Sequence, residues 1–230
     1  MLNISLDKNK KLILWFNEIN KEDVPSVGGK NASLGEMIQH LDKKGIRVPT
    51  GFAVTAEAYR QTIHHAGIQK KIDSLLSKLD THDMKQLEEN GKNIRDLIKQ
   101  SPFPPEVSKA IRDAYHAMEK VYGKNPDVAV RSSATAEDLP TASFAGQQET
   151  YLNVRGEDHL LEIIRICFSS LFTNRAISYR VDKGFDHSKV FISVGVQKMV
   201  RSDLSCSGVA FSIDTETGFR DAAYINASWG

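Results

Sequence analysis

The chain has 230 residues, with 30 basic against 29 acidic side chains, 26% charged and 40% apolar residues. This is the profile of a soluble globular protein long enough for one large domain or two lobes. The near-balance of charge provides no field that would select nucleic acid or an acidic membrane surface. No run of about 18 apolar residues occurs, and the first residues lack the uninterrupted apolar core of a signal peptide, which argues against a membrane span and for the cytoplasm. Cys167 in an apolar helical stretch and Cys206 in a polar turn read as reduced thiols, not as a disulfide scaffold or metal site.

In chain order, residues 11–16 read as a short strand. Val27-Gly28-Gly29-Lys30 follows as a turn, then a helix from about Asn31 to Lys44 with Leu34, Met37, Ile38 and Leu41 on one face and Gly45 as its C-cap. Lys30 is thereby placed at a helix N-terminus, where unpaired N–H groups and the positive end of the dipole gather and an added ammonium makes an anion site. The spacing is not that of a Walker A loop, and a helix-leading lysine can equally be a solvated charge. Residues 51–54 read as a strand, and Thr55 caps a helix beginning at Ala56-Glu57. From there to about Gly123 the pattern is helical and charged. Leu87, Ile94, Leu97 and Ile98 form one stripe and Val107, Ile111, Tyr115 and Met118 another, separated by Ser101-Pro102-Phe103-Pro104-Pro105. This stretch carries no recognisable chemistry and reads as a helical cover over the first lobe.

Residues 131–150 hold the most information. The apolar run Val128-Ala129-Val130 ends in Arg131, a stretch of small and hydroxylated residues follows, and a second strand begins at Thr150. Small side chains let backbone N–H groups approach phosphate oxygens, and arginine offers a planar fork of donors, so such a hairpin can wrap a phosphate chain. An ordinary surface hairpin with a solvated arginine has the same composition. Within the loop, Glu137-Asp138 reads as a solubilising pair. Helices are expected at 157–171 and 174–183, and strands at 191–200, 207–213 and 222–227. His64 and His65 are adjacent and cannot form an i, i+4 metal pair, and His187 in its polar loop reads as solvent-facing. The chain stops directly after a strand, as a cut through a fold would.

Val-Gly-Gly-Lys-Asn-Ala-Ser-Leu-Gly-Glu-Met at 27–37, Val-Pro-Thr-Gly-Phe-Ala-Val-Thr at 48–55 and the loop at 131–150 resemble, in order, the N-terminal ATP-binding domain of the phosphoenolpyruvate synthase family. The wider group includes pyruvate phosphate dikinase and rifampicin phosphotransferase. The resemblance implies an α+β, ATP-grasp-like nucleotide-binding domain with two lobes, truncated at its C-terminus. Its first lobe would cover 1–194 with a helical insert at about 56–123, and 195–230 would begin an incomplete, adenine-side lobe. It implies Lys30 and Arg131 as the cations on the ATP phosphates, Gly146 and Thr150 at the loop's closing positions, and Gln197, Met199 and Val200 beside adenine. No metal ligand is assigned, since the family's Mg²⁺-binding acidic residues are expected beyond residue 230. The implied reaction of the larger enzyme is ATP + pyruvate + water to phosphoenolpyruvate, AMP and phosphate, through a phosphohistidine on a swivelling domain. None of the seven histidines here has that domain's sequence context, and the pyruvate-binding domain is likewise outside the chain, so the segment alone is expected to be inactive. The alternatives are the ATP domain of a rifampicin-type antibiotic phosphotransferase and a non-catalytic nucleotide-binding module.

Overall fold

The computed structural model describes residues 8–135 and 149–230, together with the backbone of 138–139 and 142–143. Residues up to Met199 form one compact unit and Val200–Gly230 a second. The first is mixed α+β. Its strands are β1 (Ile13–Trp15), β2 (Gly51–Val54), β3 (Val128–Ala134), β6 (Thr150–Val154) and β7 (Ile192–Lys198), with a short pair β4 (Asp138–Leu139) and β5 (Ala142–Ser143) between β3 and β6. The five long strands form one sheet in the order β1-β2-β7-β3-β6, every neighbouring pair antiparallel. The last strand made is therefore the middle of the sheet.

The period-2 alternation of the strands sorts their side chains onto two faces. Phe52 and Val54, Val128 and Val130, and Val194 and Val196 point into the larger core, which they share with Ile63 of α2 (Ala56–His65), Ile94 of α4 (Met84–Gln100), Ile111 of α5 (Pro105–Tyr122) and Ile164 of α6 (Glu157–Ser169). The short helix α3 (Gln69–Ser77) contributes Ile72 to the same core. Of the expected stripes, Leu87, Ile94 and Ile98 in α4 and Val107, Ile111, Tyr115 and Met118 in α5 are buried, while Leu97 is only partly so. Full burial of each aliphatic side chain contributes about 1.5–3 kcal/mol, which is what holds such charged helices on the sheet. Local signals set their ends. The Thr55 hydroxyl accepts from the Ala58 N–H, the Asp83 carboxylate from Lys85 and Gln86 N–H, and Pro105 occupies the first turn of α5.

The other face carries one helix, α1 (Val24–Leu41), over a smaller core of Leu14, Phe16, Ile19, Val27, Ala32, Ile38 and Ala53. On this face β3 and β7 are polar or bare: Arg131 and Ser133 alternate with the core residues of β3, and Ser193, Gly195 and Gln197 with those of β7. A sheet with both faces covered has no reason to place such residues toward a helix except to position something there. The helix itself ends as expected, passing through a short 3-10 turn to Gly45 at φ 76°.

The second unit contains β8 (Cys206–Phe211) paired with β9 (Tyr224–Trp229), and none of its residues is buried. The division falls at Met199/Val200, so residues 195–199, assigned from the sequence to a second lobe, belong with the first unit; β7 is a single continuous strand bonded on both sides. His187 also departs from expectation. It is half-buried because its Nδ1 accepts from Nε of Arg180, a residue of α7 (Asn174–Asp182) that is itself only 1% exposed. No helix among the described residues is long and apolar enough to cross a membrane.

Candidate functional site

The site is built from α1 and the polar face of β3 and β7. Gly28 has φ 74° and ψ 164°, interrupting α1 so that the regular helix starts at Gly29. Lys30 thus lies in its first turn, where N–H groups lack intrahelical partners. The interruption is packed tightly: a Cβ at Gly28 would stand 2.2 Å from Oγ of Ser133 and 2.6 Å from its carbonyl oxygen. Three residues on, the side-chain amide of Asn31 donates to the Val27 carbonyl (2.9 Å) and to Oγ of Ser193 (3.1 Å), and Ser193 donates in turn to the Val54 carbonyl (2.8 Å). Gly35 lies against Ile19, whose carbonyl oxygen a Cβ would meet at 2.2 Å. Gly28 therefore brings the helix onto the sheet and Gly35 onto the turn after β1, and the lysine is what that mounting presents.

Arg131 is the one exposed residue of β3. Across the sheet it is paired with Thr150 of β6 on one side and Gly195 of β7 on the other. Directly opposed residues share a face, so Thr150 stands beside Arg131 and is exposed, while Gly195 leaves room over the strand. Gln197, two residues along β7, is nearly buried and donates from Nε2 to the Pro49 carbonyl at 2.9 Å. Lys30, Arg131 and Gln197 all line one cavity of about 400 Å³, together with Phe16, Leu34 and Met37 on its apolar side. None of its described lining residues is acidic. Two cations from distant parts of the chain, set beside a positioned amide and an apolar wall, suit a ligand with an anionic end and a flat or apolar end.

The remaining expected residues fall elsewhere or outside. Gly146 and Glu137 lie outside the described residues. Met199 does not line this cavity; its N–H donates to the Asp127 carbonyl (2.9 Å), and its own carbonyl accepts from Nζ of Lys198 (2.9 Å). Val200 is 65% exposed and begins the second unit. Gly195, Asn31 and Phe16, by contrast, line the cavity without having been singled out. A glycine inside the β-branched run Ile192-Ser193-Val194-Gly195-Val196 was the available signal, since such a glycine marks close approach by another group. Among the described residues no group of three or more His, Cys, Asp or Glu side chains is placed to hold a metal ion.

Residues 24–230 match the family model described as pyruvate phosphate dikinase, AMP/ATP-binding domain. Among curated proteins, the chain is 59% identical over 228 residues to the phosphoenolpyruvate synthase of Synechocystis sp., covering 97% of this chain and 28% of that protein. It is 54% identical over 228 residues to the phosphoenolpyruvate synthase of Aquifex aeolicus, covering 99% of this chain and 27% of the relative. With the phosphoenolpyruvate synthase of Escherichia coli it shares 52% identity over 227 residues, covering 99% of this chain and 28% of the relative. The chain thus spans a little over a quarter of the length of the relatives it matches.

Proposed function

This chain belongs to the pyruvate phosphate dikinase AMP/ATP-binding domain family, and from that premise we propose that it binds ATP with the phosphates between Lys30 and Arg131. The observation that carries the reading is their convergence on one cavity whose described lining has no carboxylate. Phosphoryl transfer gathers negative charge on the transferring oxygens, and cations fixed before the reaction offset it without reorganising. Arg131 supplies a planar fork from a strand held on both sides, and Lys30 a point charge at the start of a helix whose dipole has the same sign of effect. In this reading Thr150 adds a hydroxyl beside Arg131, and Gly146, which lies outside the described residues, adds a backbone amide. Gln197 orients the nucleotide's other end.

The whole protein's reaction, on the pattern of the named relatives, is conversion of ATP, pyruvate and water to phosphoenolpyruvate, AMP and phosphate, with a histidine of another domain carrying the phosphoryl group. ATP in such chemistry travels with Mg²⁺, which screens its phosphates. The described lining offers cations and no acidic ligand, so it does not fit a metal, and no role for Mg²⁺ is drawn from these residues.

The test is a thermal-shift titration with ATP, repeated on Lys30→Ala and Arg131→Ala. Ligand at about 100 times its Kd stabilises by roughly 2.7 kcal/mol, a rise of roughly 5 to 10 °C for a chain of this size. The parent is expected to show that rise and both variants to lose most of it. Undiminished shifts in both variants would place the phosphates elsewhere.

A further inference from the structure

Asn31 is buried, yet it lines the cavity beside Lys30. Its partners fix its orientation. The Val27 carbonyl can only accept, so the amide nitrogen faces it, at 2.9 Å. Ser193 Oγ gives its own hydrogen to the Val54 carbonyl (2.8 Å) and therefore accepts from Asn31, at 3.1 Å. Both Nδ2 hydrogens are taken, so the amide cannot flip, and Oδ1 is the end left over.

Oδ1 accepts no hydrogen bond among the described residues. Ser133 Oγ, on the same face of the sheet, also lacks a partner but is sealed from solvent; Oδ1 of Asn31 is not sealed, and the space it opens on is the cavity. Gly195 marks its place. A Cβ on that glycine would stand 2.2 Å from Oδ1, so the oxygen lies directly over the bare strand. Gly195 is paired across the sheet with Arg131 and is two residues from Gln197 on the same face. Oδ1 thus lies between the residue assigned to the phosphates and the residue assigned to the nucleotide's other end. What stands over Gly195 has to suit an acceptor. A carbonyl oxygen repels phosphate oxygens and offers nothing to an apolar ring face; its match is an O–H or N–H donor. The middle of a nucleotide, between its charged chain and its base, is ribose, whose hydroxyls are donors.

We propose that Oδ1 of Asn31 accepts a hydrogen bond from a ribose hydroxyl of the bound nucleotide, which makes this residue a discriminator of ribonucleotides against deoxyribonucleotides. The inference rests on the reading of the cavity as the ATP site. One side chain then serves two ends: its nitrogen holds α1 to β7, and its oxygen reads the sugar.

Isothermal titration of the protein with ATP, 2′-deoxy-ATP and 3′-deoxy-ATP tests this without a mutant. One of the two deoxynucleotides is expected to bind roughly 3- to 10-fold more weakly than ATP, the span of one ordinary hydrogen bond. Equal affinities for all three would overturn the proposal. Asn31→Ala separates contact from support. It frees α1 and lowers affinity for every nucleotide, but the ratio between ATP and the disfavoured deoxynucleotide is expected to fall to about 1. An Asn31 that only supports the helix would leave that ratio as it is in the parent, and this result too would refute the contact. Lys30→Ala and Arg131→Ala keep the two readings apart. Weakened binding in both, with no ribose discrimination in the parent, overturns the Asn31 contact alone; undiminished binding in both overturns the assignment of the cavity and this inference with it.

Discussion

A methyl group on Gly195 would stand 2.2 Å from Oδ1 of Asn31, a side chain that is buried and hydrogen-bonded to Val27 and Ser193. Asn31 cannot turn aside without giving up those bonds, so Gly195→Ala displaces the first turn of α1, and Lys30 with it. The expected loss is about 1 to 3 kcal/mol in urea unfolding, the usual cost of overpacking or of orphaning a buried polar group. Nucleotide affinity is expected to fall in the same variant even though residue 195 contributes no charge. A Gly195→Ala protein as stable as the parent would show that the helix is free to move off the sheet. Arg131 shows what single residues reveal to a reader of sequence. A lone cation between an apolar run and a small-residue loop was visible at once, whereas Asn31 looked like any polar helix residue. Its partner Ser193 lies far away in the chain, and no local pattern announces a bond across that separation.

Tyr115 joins three elements. From α5 its hydroxyl donates to the Pro126 carbonyl (3.1 Å) and accepts from the Gly156 N–H (2.9 Å), fixing the entrance to β3 and the start of α6. Tyr115→Phe keeps the ring and leaves both backbone groups unmatched, so a loss of about 1 to 3 kcal/mol is expected in chemical denaturation. A change near zero would mean that water reaches both groups. Element positions were largely legible in the sequence. The strands at 51–54 and 150–154 fall where alternation and glycine boundaries put them, and the helices of the 56–123 stretch bury most of the stripes that their periodicity defines. The pairing was not legible, because neighbours in the sheet are set by which faces must be covered and not by chain order. That is why the division falls at Met199/Val200 and not at the expected 194/195: β7 is bonded on both sides, and in the fold it is a centre. His187 was misjudged for a related reason, since the arginine that bonds it, Arg180 on the preceding helix, is buried, which no local sequence pattern announces.

For the molecule as a whole, His187 makes acid stability a defined quantity. Burial, and then the Arg180 charge, push its folded pKa down from 6.5 to about 4. The unfolded chain therefore takes up this proton first as pH falls, so the contribution is fully present above about 6.5 and is lost progressively toward about 4. Unfolding free energies measured by urea at a series of pH values are expected to decline through that window. His187→Asn, which retains an acceptor for Arg180, is expected to flatten the decline by one titrating group; an unchanged slope would assign it to other residues. The strand order has a consequence in time as well as in space. Without β7, the β1–β2 pair and the β3–β6 pair have no bond to each other. A ribosome making this chain from its N-terminus releases two separate ribbons with open edges, and supplies the strand that unites them only after some 190 residues. Until then the helix that carries Lys30 and the strand that carries Arg131 meet at Gly28 and Ser133 without the strand between them, and the open strand edges of this interval are what a chaperone would find to hold.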